Sequence, residues 1–207
     1  MIDPEPASLT KAEKRRQQIL DAACACVRRA GFHGASMAEI AQAASLSVGQ
    51  IYRYFESKDA IVAAIVDQDL AELRDKFAEI ERSGGSMVEA AIAHCSEAMD
   101  RNYDPDRAAL ALEVMAEAAR NPRVAAIVRK ADAAWHEVLR KLLDEACPSD
   151  CDEAEKAARS EMLSLIFDGM LMRAVNNPDA DRTELGKLLQ AVLGLILCRK
   201  SSDAATP

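Results

Sequence analysis

Residues 36–58, SMAEIAQAASLSVGQIYRYFESK, decide how this chain is read. Ser36 and Glu39 make an S-x-x-E pattern, in which hydroxyl and carboxylate satisfy the first free N–H groups of a helix. Ala38, Ile40, Ala41 and Ala44 then form a small apolar face, and alanine at 41 lets a second helix come close. Ser45-Leu46 breaks the pattern, and Ser47 caps the next helix. Leu46, Ile51 and Phe55 carry the spacing that docks this second helix, whereas Val48, Gly49, Gln50 and Arg53 are too small or too polar for a core. Two short helices at a tight turn, the second with a free polar side, form a device that enters a DNA major groove.

The same stretch resembles the signature of the tetracycline-repressor (TetR) family of transcriptional regulators, approximately A-x-x-A-G-V-S-x-G-x-x-Y-x-Y-F-x-x-K. Ala41, Ala44, Ser47, Gly49, Tyr52, Tyr54, Phe55 and Lys58 match it. Ser45 stands where the family has a turn glycine, so a left-handed backbone there would cost roughly 1 kcal/mol. The resemblance implies an all-α protein with an N-terminal three-helix helix-turn-helix head and a C-terminal helical body that binds an effector and dimerises. It also implies that Val48 and Gln50 face base edges and that Ser36, Ser47, Tyr52, Tyr54 and Lys58 grip phosphates. Side-chain chemistry agrees: glutamine pairs with adenine, valine touches a thymine methyl, and hydroxyls and lysine satisfy phosphate oxygens. Gly49 would let the duplex approach, and Arg53 could serve bases or phosphates. Tyr52 and Tyr54 could instead pack the head against the following helix, and Phe55 reads as core.

A net charge of −8 over 207 residues argues against DNA binding only if the charge is uniform. Residues 10–58 hold eight basic and four acidic side chains, net +4, which leaves −12 for the rest. An acidic body repels DNA from every surface but the head and so favours one docking orientation. Lys11, Lys14, Arg15 and Arg16 could reach a minor groove or phosphates, or form a solvated helix face. With 50 % hydrophobic and 29 % charged residues the chain is a globular protein with a sizeable core. No apolar run approaches the ~18 residues that span a bilayer, and residues 1–6 lack the pattern of a signal peptide. A cytoplasmic protein without membrane partners is expected.

About nine helices follow from caps and breaks. The first starts after Thr10 and stops at Gly31, and the two described above come next. A long fourth helix covers about 58–80, before Gly84-Gly85. A fifth runs from a second capping box, Ser86 with Glu89, to about Arg101. The sixth and seventh open at Asp104-Pro105 and Asn121-Pro122, each a cap followed by proline. The eighth and ninth cover the segments up to about Val175 and from about Arg182 to Cys198. The expected organisation is a DNA-binding domain at 1–57, with 1–9 as a flexible arm, a dimerisation and effector domain at 58–200, and a disordered tail at 201–207.

Leu185, Leu188, Leu189, Val192, Leu193, Ile196 and Leu197 make an apolar stripe too wide for one partner. Joined with Leu163, Ile166, Phe167, Met170 and Ala174, it suggests a four-helix isologous dimer contact through Leu163, Phe167, Leu189, Leu193 and Ile196, with a buried core helix as the alternative. Met99, Tyr103, Met115, Trp135, His136, Phe167, Met170 and Met172 are flat or adaptable side chains suited to a pocket for an apolar molecule, though each also suits a core. Glu113, Glu117 and Asp168 could draw a cationic effector, or lie on a solvated face with Arg120 paired to Glu117. Cys24 and Cys26 read as small core residues, and Cys147 and Cys151 as a redox pair only outside a reducing compartment. The six cysteines and three histidines show no metal-ligand spacing, and no nucleophile, acid–base or phosphate-loop motif occurs. No enzyme activity, metal or cofactor is expected.

The function expected from this reading is a homodimeric regulator, most simply a repressor, that leaves a palindromic operator when a small hydrophobic effector enters the body. Two readings stay open beside it: an effector-independent DNA-binding or architectural protein of the same fold, and a transcriptional activator. A helical enzyme with a coincidental head is the rival from another class.

Overall fold

Caps start the helices much as the sequence suggests. In the computed structural model, Thr10, Ser36 and Ser47 each accept a hydrogen bond from the N–H three residues on, and Glu13, Glu39 and Gln50 return the bond to the cap's own N–H. Asp104 and Asn121 cap helices with proline in the first turn. Ser86 forms only half of its expected box. It accepts from Glu89 N, while Glu145 from a distant helix takes the free donors of Ser86, Met87 and Val88.

The structure describes residues 10–147 and 151–198, which form ten α-helices: α1 (Lys11–Gly34), α2 (Met37–Ala43), α3 (Val48–Tyr52), α4 (Lys58–Arg82), α5 (Met87–Ala93), α6 (Cys95–Asn102), α7 (Pro105–Ala118), α8 (Pro122–Ala146), α9 (Glu153–Asn176) and α10 (Arg182–Cys198). No strand occurs among the described residues. The expected flexible arm and disordered tail lie outside them. The count exceeds nine because the helix expected from 86 to 101 is two, broken where His94 leaves helical geometry at φ −93, ψ 11. Immediately after the break, buried Cys95 donates its thiol to the Gly186 carbonyl of α10 at 3.7 Å. A side chain on Gly186 would begin 3.3 Å from Ser96 Oγ, so α6 sits close against α10 and cannot simply continue α5.

Three apolar clusters organise the helices. The head cluster joins Ile19 of α1, Ile40 of α2, Ile51 of α3, Phe55, and Ile61 at the start of α4. The body cluster is centred on Leu143 of α8, Leu163 of α9 and Leu193 and Leu197 of α10. Between them a small third cluster combines Phe32 from the end of α1 with Val62, Val114 and Val124 of α4, α7 and α8. α4 therefore belongs to all three, and its 25 residues span about 37 Å at 1.5 Å per residue. No helix is long and apolar enough to cross a membrane among the described residues.

Candidate nucleic-acid interface and body cavity

The turn between α2 and α3 is a Schellman motif. Leu46 N donates to Ala41 O at 2.9 Å and Ser45 N to Gln42 O at 3.0 Å, with Ser45 left-handed at φ 53. Gln18 of α1 clamps the motif by donating Nε2 to Ala44 O at 2.6 Å. Docked in this way, α3 turns Ile51 inward and leaves Val48, Gly49, Gln50, Tyr52 and Arg53 exposed. Gly49 is bordered by open space where a Cβ would stand, so the fold itself does not require glycine there. Tyr54 packs on the head core. Ser36 lies at the start of α2, its hydroxyl accepting from Glu39 N.

Two of the expected DNA contacts are already occupied. Gln50 Oε1 accepts from Ser47 N at 2.9 Å and lies 3.2 Å from Ser47 Oγ, so a bidentate grip on adenine requires opening the capping box, whereas Nε2 donates to no group among the described residues. Lys58 donates its amine to Phe32 O and stands over the Phe32 ring at 4.2 Å. Desolvation lowers the Lys58 pKa. Arg16 is exposed but tied to the head, stacked 4.2 Å over Phe55 and bonded to Tyr54 O at 3.5 Å, and Lys11 and Lys14 are exposed as well.

Glu113 and Glu117 of α7 hold the end of α1. Gly31 breaks the α1 geometry at φ 72, ψ 170 and directs the next N–H, that of Phe32, to Glu113 Oε2 at 3.0 Å. A Cβ on Gly31 would stand 3.2 Å from the same oxygen. Glu117, 2 % exposed, lies 3.0 Å from His33 Nε2 and accepts from Arg120 Nε and Asn121 Nδ2 at 3.2 and 3.0 Å. The expected Arg120–Glu117 pair is thus present, but as part of a head–body joint. A buried carboxylate is tolerated only with such partners, because desolvation otherwise costs several kcal/mol.

The body encloses a half-open cavity of about 1020 Å³ bordered by residues of every helix from α4 to α10, and by Gln17, Leu20, Asp21, Cys24 and Arg28 of the head's α1. Met115, Trp135 and Phe167 line it, the two rings meeting edge to face at 5.8 Å. Met99, Tyr103 and Met170 are instead buried in the body cluster. His136 does not line it: its Nδ1 bonds Ser160 Oγ at 2.7 Å and its Nε2 lies between Asp132 and Glu161. Met172 is exposed. Asp168 borders the cavity beside Asp132, and desolvation followed by repulsion from Asp132 and Glu161 raises its pKa. Sequence reasoning missed Leu73, Phe77, Arg101 and Arg107, also on the wall. The apolar period of α4 marks Leu73 and Phe77 as inward, but nothing local separates a cavity wall from a core.

The residues expected in a dimer contact differ in how far the protomer itself covers them. Leu163, Leu189 and Leu193 are buried inside the protomer, and Phe167 and Ile196 are packed against its core. Large apolar side chains left exposed on these helices are Met162, Leu165, Met172 and Val175 of α9 and Leu188, Val192 and Leu195 of α10. The 3- and 4-residue steps among 162, 165, 169 and 172 were a readable sign of this second face. Cys26, Cys95 and Cys147 are buried free thiols, and Cys24 and Cys151 are free and half-buried. Desolvation and a hydrogen bond that its thiol makes to Cys147 push the Cys151 pKa up to about 11, which disfavours a reactive thiolate.

Residues 19–65 match the family model for bacterial regulatory proteins of the tetR family, and residues 87–197 that for the C-terminal part of BetI-type transcriptional repressors. UidR of Escherichia coli, an HTH-type transcriptional regulator, is 30 % identical over 194 residues, covering 91 % of this chain and 95 % of that one. Among solved structures, Salmonella enterica GusR superposes with a TM-score of 0.71 at 26 % identity, covering 91 % and 98 % of the two chains. Bacillus subtilis FadR, solved with stearoyl-CoA, has the same fold with a TM-score of 0.71 at 20 % identity, over 87 % of this chain and 97 % of that one.

Proposed function

This chain belongs to the TetR family of bacterial regulatory proteins and is a DNA-binding transcriptional regulator, and on that premise we propose that it acts as a homodimeric repressor released from its operator by a small, largely apolar effector. The observation that carries the release step is the position of the cavity. It touches α1 and α4 directly, and its α7 wall carries Glu113 and Glu117, which hold the end of α1. An effector that shifts α7 therefore shifts the head it is bonded to.

Two heads read successive major grooves only when their recognition helices are about 34 Å apart. An effector that prefers a dimer with another head spacing weakens operator binding by the same factor by which operator weakens effector binding, typically about 1–3 kcal/mol. The outer faces of α9 and α10 supply the dimer contact. Gly169 and Gly194 meet nothing where a Cβ would stand, which leaves room for a partner helix to approach. In the head, Val48, Gln50 and Arg53 face base edges, and Ser36, Ser47 and Tyr52 take phosphates, while Tyr54 packs on the head core and Lys58 is held by Phe32 at the end of α1. The open cavity supports this reading over the effector-independent one, and FadR bound to stearoyl-CoA illustrates a ligand-carrying protein of this fold.

The test is operator release. The operator is selected from random duplexes with the full-length protein, and hydrophobic compounds are screened for saturable change in Trp135 fluorescence, Trp135 being the only tryptophan and part of the cavity wall. Compounds that bind should lower operator affinity by about tenfold or more. Binders that leave operator affinity untouched would favour the effector-independent regulator.

A further inference from the structure

Arg101 of α6 is the one cavity-wall guanidinium, among the described residues, that has no carboxylate within ion-pair distance. Its Nη2 donates only to the Asp69 backbone carbonyl, at 3.4 Å. The Asp69 carboxylate is taken by Arg107 Nη1 at 2.8 Å, and Arg28 lies 3.7 Å from Asp106. The remaining acidic groups nearby have other work: Asp104 caps α7 through Arg107 N, and Asp21 accepts from Gln17. Asp69 and, after it, Glu72 attract Arg101 without forming an ion pair with it. Arg101 is half-buried, and both its desolvation and the neighbouring Arg107 disfavour its charge. A guanidinium in such a place lacks a directly paired anion to offset these penalties, and its planar donor fork fits a carboxylate or a phosphate in bidentate fashion. The rest of the wall offers Leu73, Phe77, Leu139, Trp135 and Phe167, in a volume of about 1020 Å³ suited to a molecule with a large apolar part.

We propose that Arg101 anchors the anionic headgroup of an amphipathic effector whose apolar part lies along Leu73, Phe77, Trp135 and Phe167. The assignment rests on the effector-release reading for its biological role but concerns the headgroup alone. It also reverses the charge expected from the sequence. Asp132 and Asp168, which would receive a cation, also border the cavity, and Asp168 likewise has no ion-pair partner among the described residues, but both residues are exposed, whereas Arg101 is half-buried.

Four probes with one apolar chain and different heads decide the matter on the full-length protein: dodecanoate, its methyl ester, dodecyl phosphate and dodecyltrimethylammonium, all below their micellar concentrations. Affinities are read from Trp135 emission and from the shift in melting temperature. Dodecanoate or dodecyl phosphate should bind at least about tenfold more tightly than the ester and the ammonium compound, and the order of those two tells which anion the site takes. Arg101→Gln should abolish the advantage of the anion over the ester, Arg101→Lys should keep part of it, and Arg140→Gln, which removes the same charge from the exposed side of α8, should leave the advantage intact. The proposal is overturned if ester and anion bind equally to the unmutated protein, if the ammonium compound binds best, if no probe binds saturably, or if Arg101→Gln keeps the anion's advantage. Because the four-probe comparison needs no variant, equal binding of ester and anion overturns the proposal even if Arg101→Gln folds poorly, and Arg101→Lys, which keeps the charge, then serves to separate Arg101 from Arg28 and Arg107 on the same wall. Operator release is measured separately. Anion binding without release would sink the repressor mechanism but leave the headgroup assignment standing, and release by the ester alone would do the reverse.

Discussion

Replacing Ser45 by glycine should stabilise the protein. Ser45 sits at the left-handed position of the Schellman motif that ends α2, at φ 53, where an L side chain crowds its own carbonyl. The steric penalty is roughly 1–2 kcal/mol. Ser45 is exposed, so its removal takes no buried contact away. Against the gain stands the greater freedom of glycine in the unfolded chain, about 0.4–1 kcal/mol. The balance is a stabilisation of about 0.5–1 kcal/mol, which raises the melting temperature of a chain of this size by about 1–4 °C. Calorimetric unfolding of Ser45→Gly and Ser45→Ala, without DNA, makes the comparison. Alanine keeps the penalty and should stay within about 0.5 kcal/mol of the parent. If glycine melts at or below the parent temperature while alanine matches it, the strain assigned to this turn is wrong. Should both raise it equally, the serine side chain and not its backbone geometry is the unfavourable element.

Three further outcomes follow from the geometry. Gln50→Ala should relax preference at one base position by about 1–3 kcal/mol in competition with scrambled operators, whereas Tyr52→Phe should weaken all sequences alike; equal loss on specific and random DNA for Gln50→Ala would remove it from base reading. Leu195→Glu, on the exposed face of α10, should yield a folded monomer by analytical ultracentrifugation, because the carboxylate would be buried unpaired only in the dimer. Leu193→Glu, which places the charge in the protomer's own core, should lower thermal stability by several kcal/mol instead, and a dimer persisting in the folded Leu195→Glu variant would put the contact elsewhere. Glu113→Ala strands the Phe32 N–H and should cost about 1–3 kcal/mol while weakening the effect of any cavity ligand on operator affinity; an unchanged ligand effect would mean that the signal reaches the head by another route.

The head was legible because its information is local. Ser36 with Glu39 and Ser47 with Gln50 are capping pairs three residues apart, and Ile40, Ile51 and Phe55 reach a core built by one short stretch of chain. The body was legible only as helices. A break at His94 depends on how close α6 lies to α10, which no nearby residue announces. Lys58 looked like a phosphate ligand by position, yet its amine is held by a carbonyl 26 residues earlier in the chain.

By itself, the sequence of this protein determined the all-α class, the capped helix starts and the DNA-reading head, since caps, helical periodicity and turn chemistry act over three or four residues. The tertiary structure alone decided which of the apolar residues of α9 and α10 face inward and which outward, which of Met99, Met115, Trp135 and Met170 border the cavity, and that Glu113 and Glu117 join body to head. Those outcomes depend on what lies opposite each side chain, and a hydrophobic pattern records that a face is to be covered without recording whether its cover is core, ligand or a second chain.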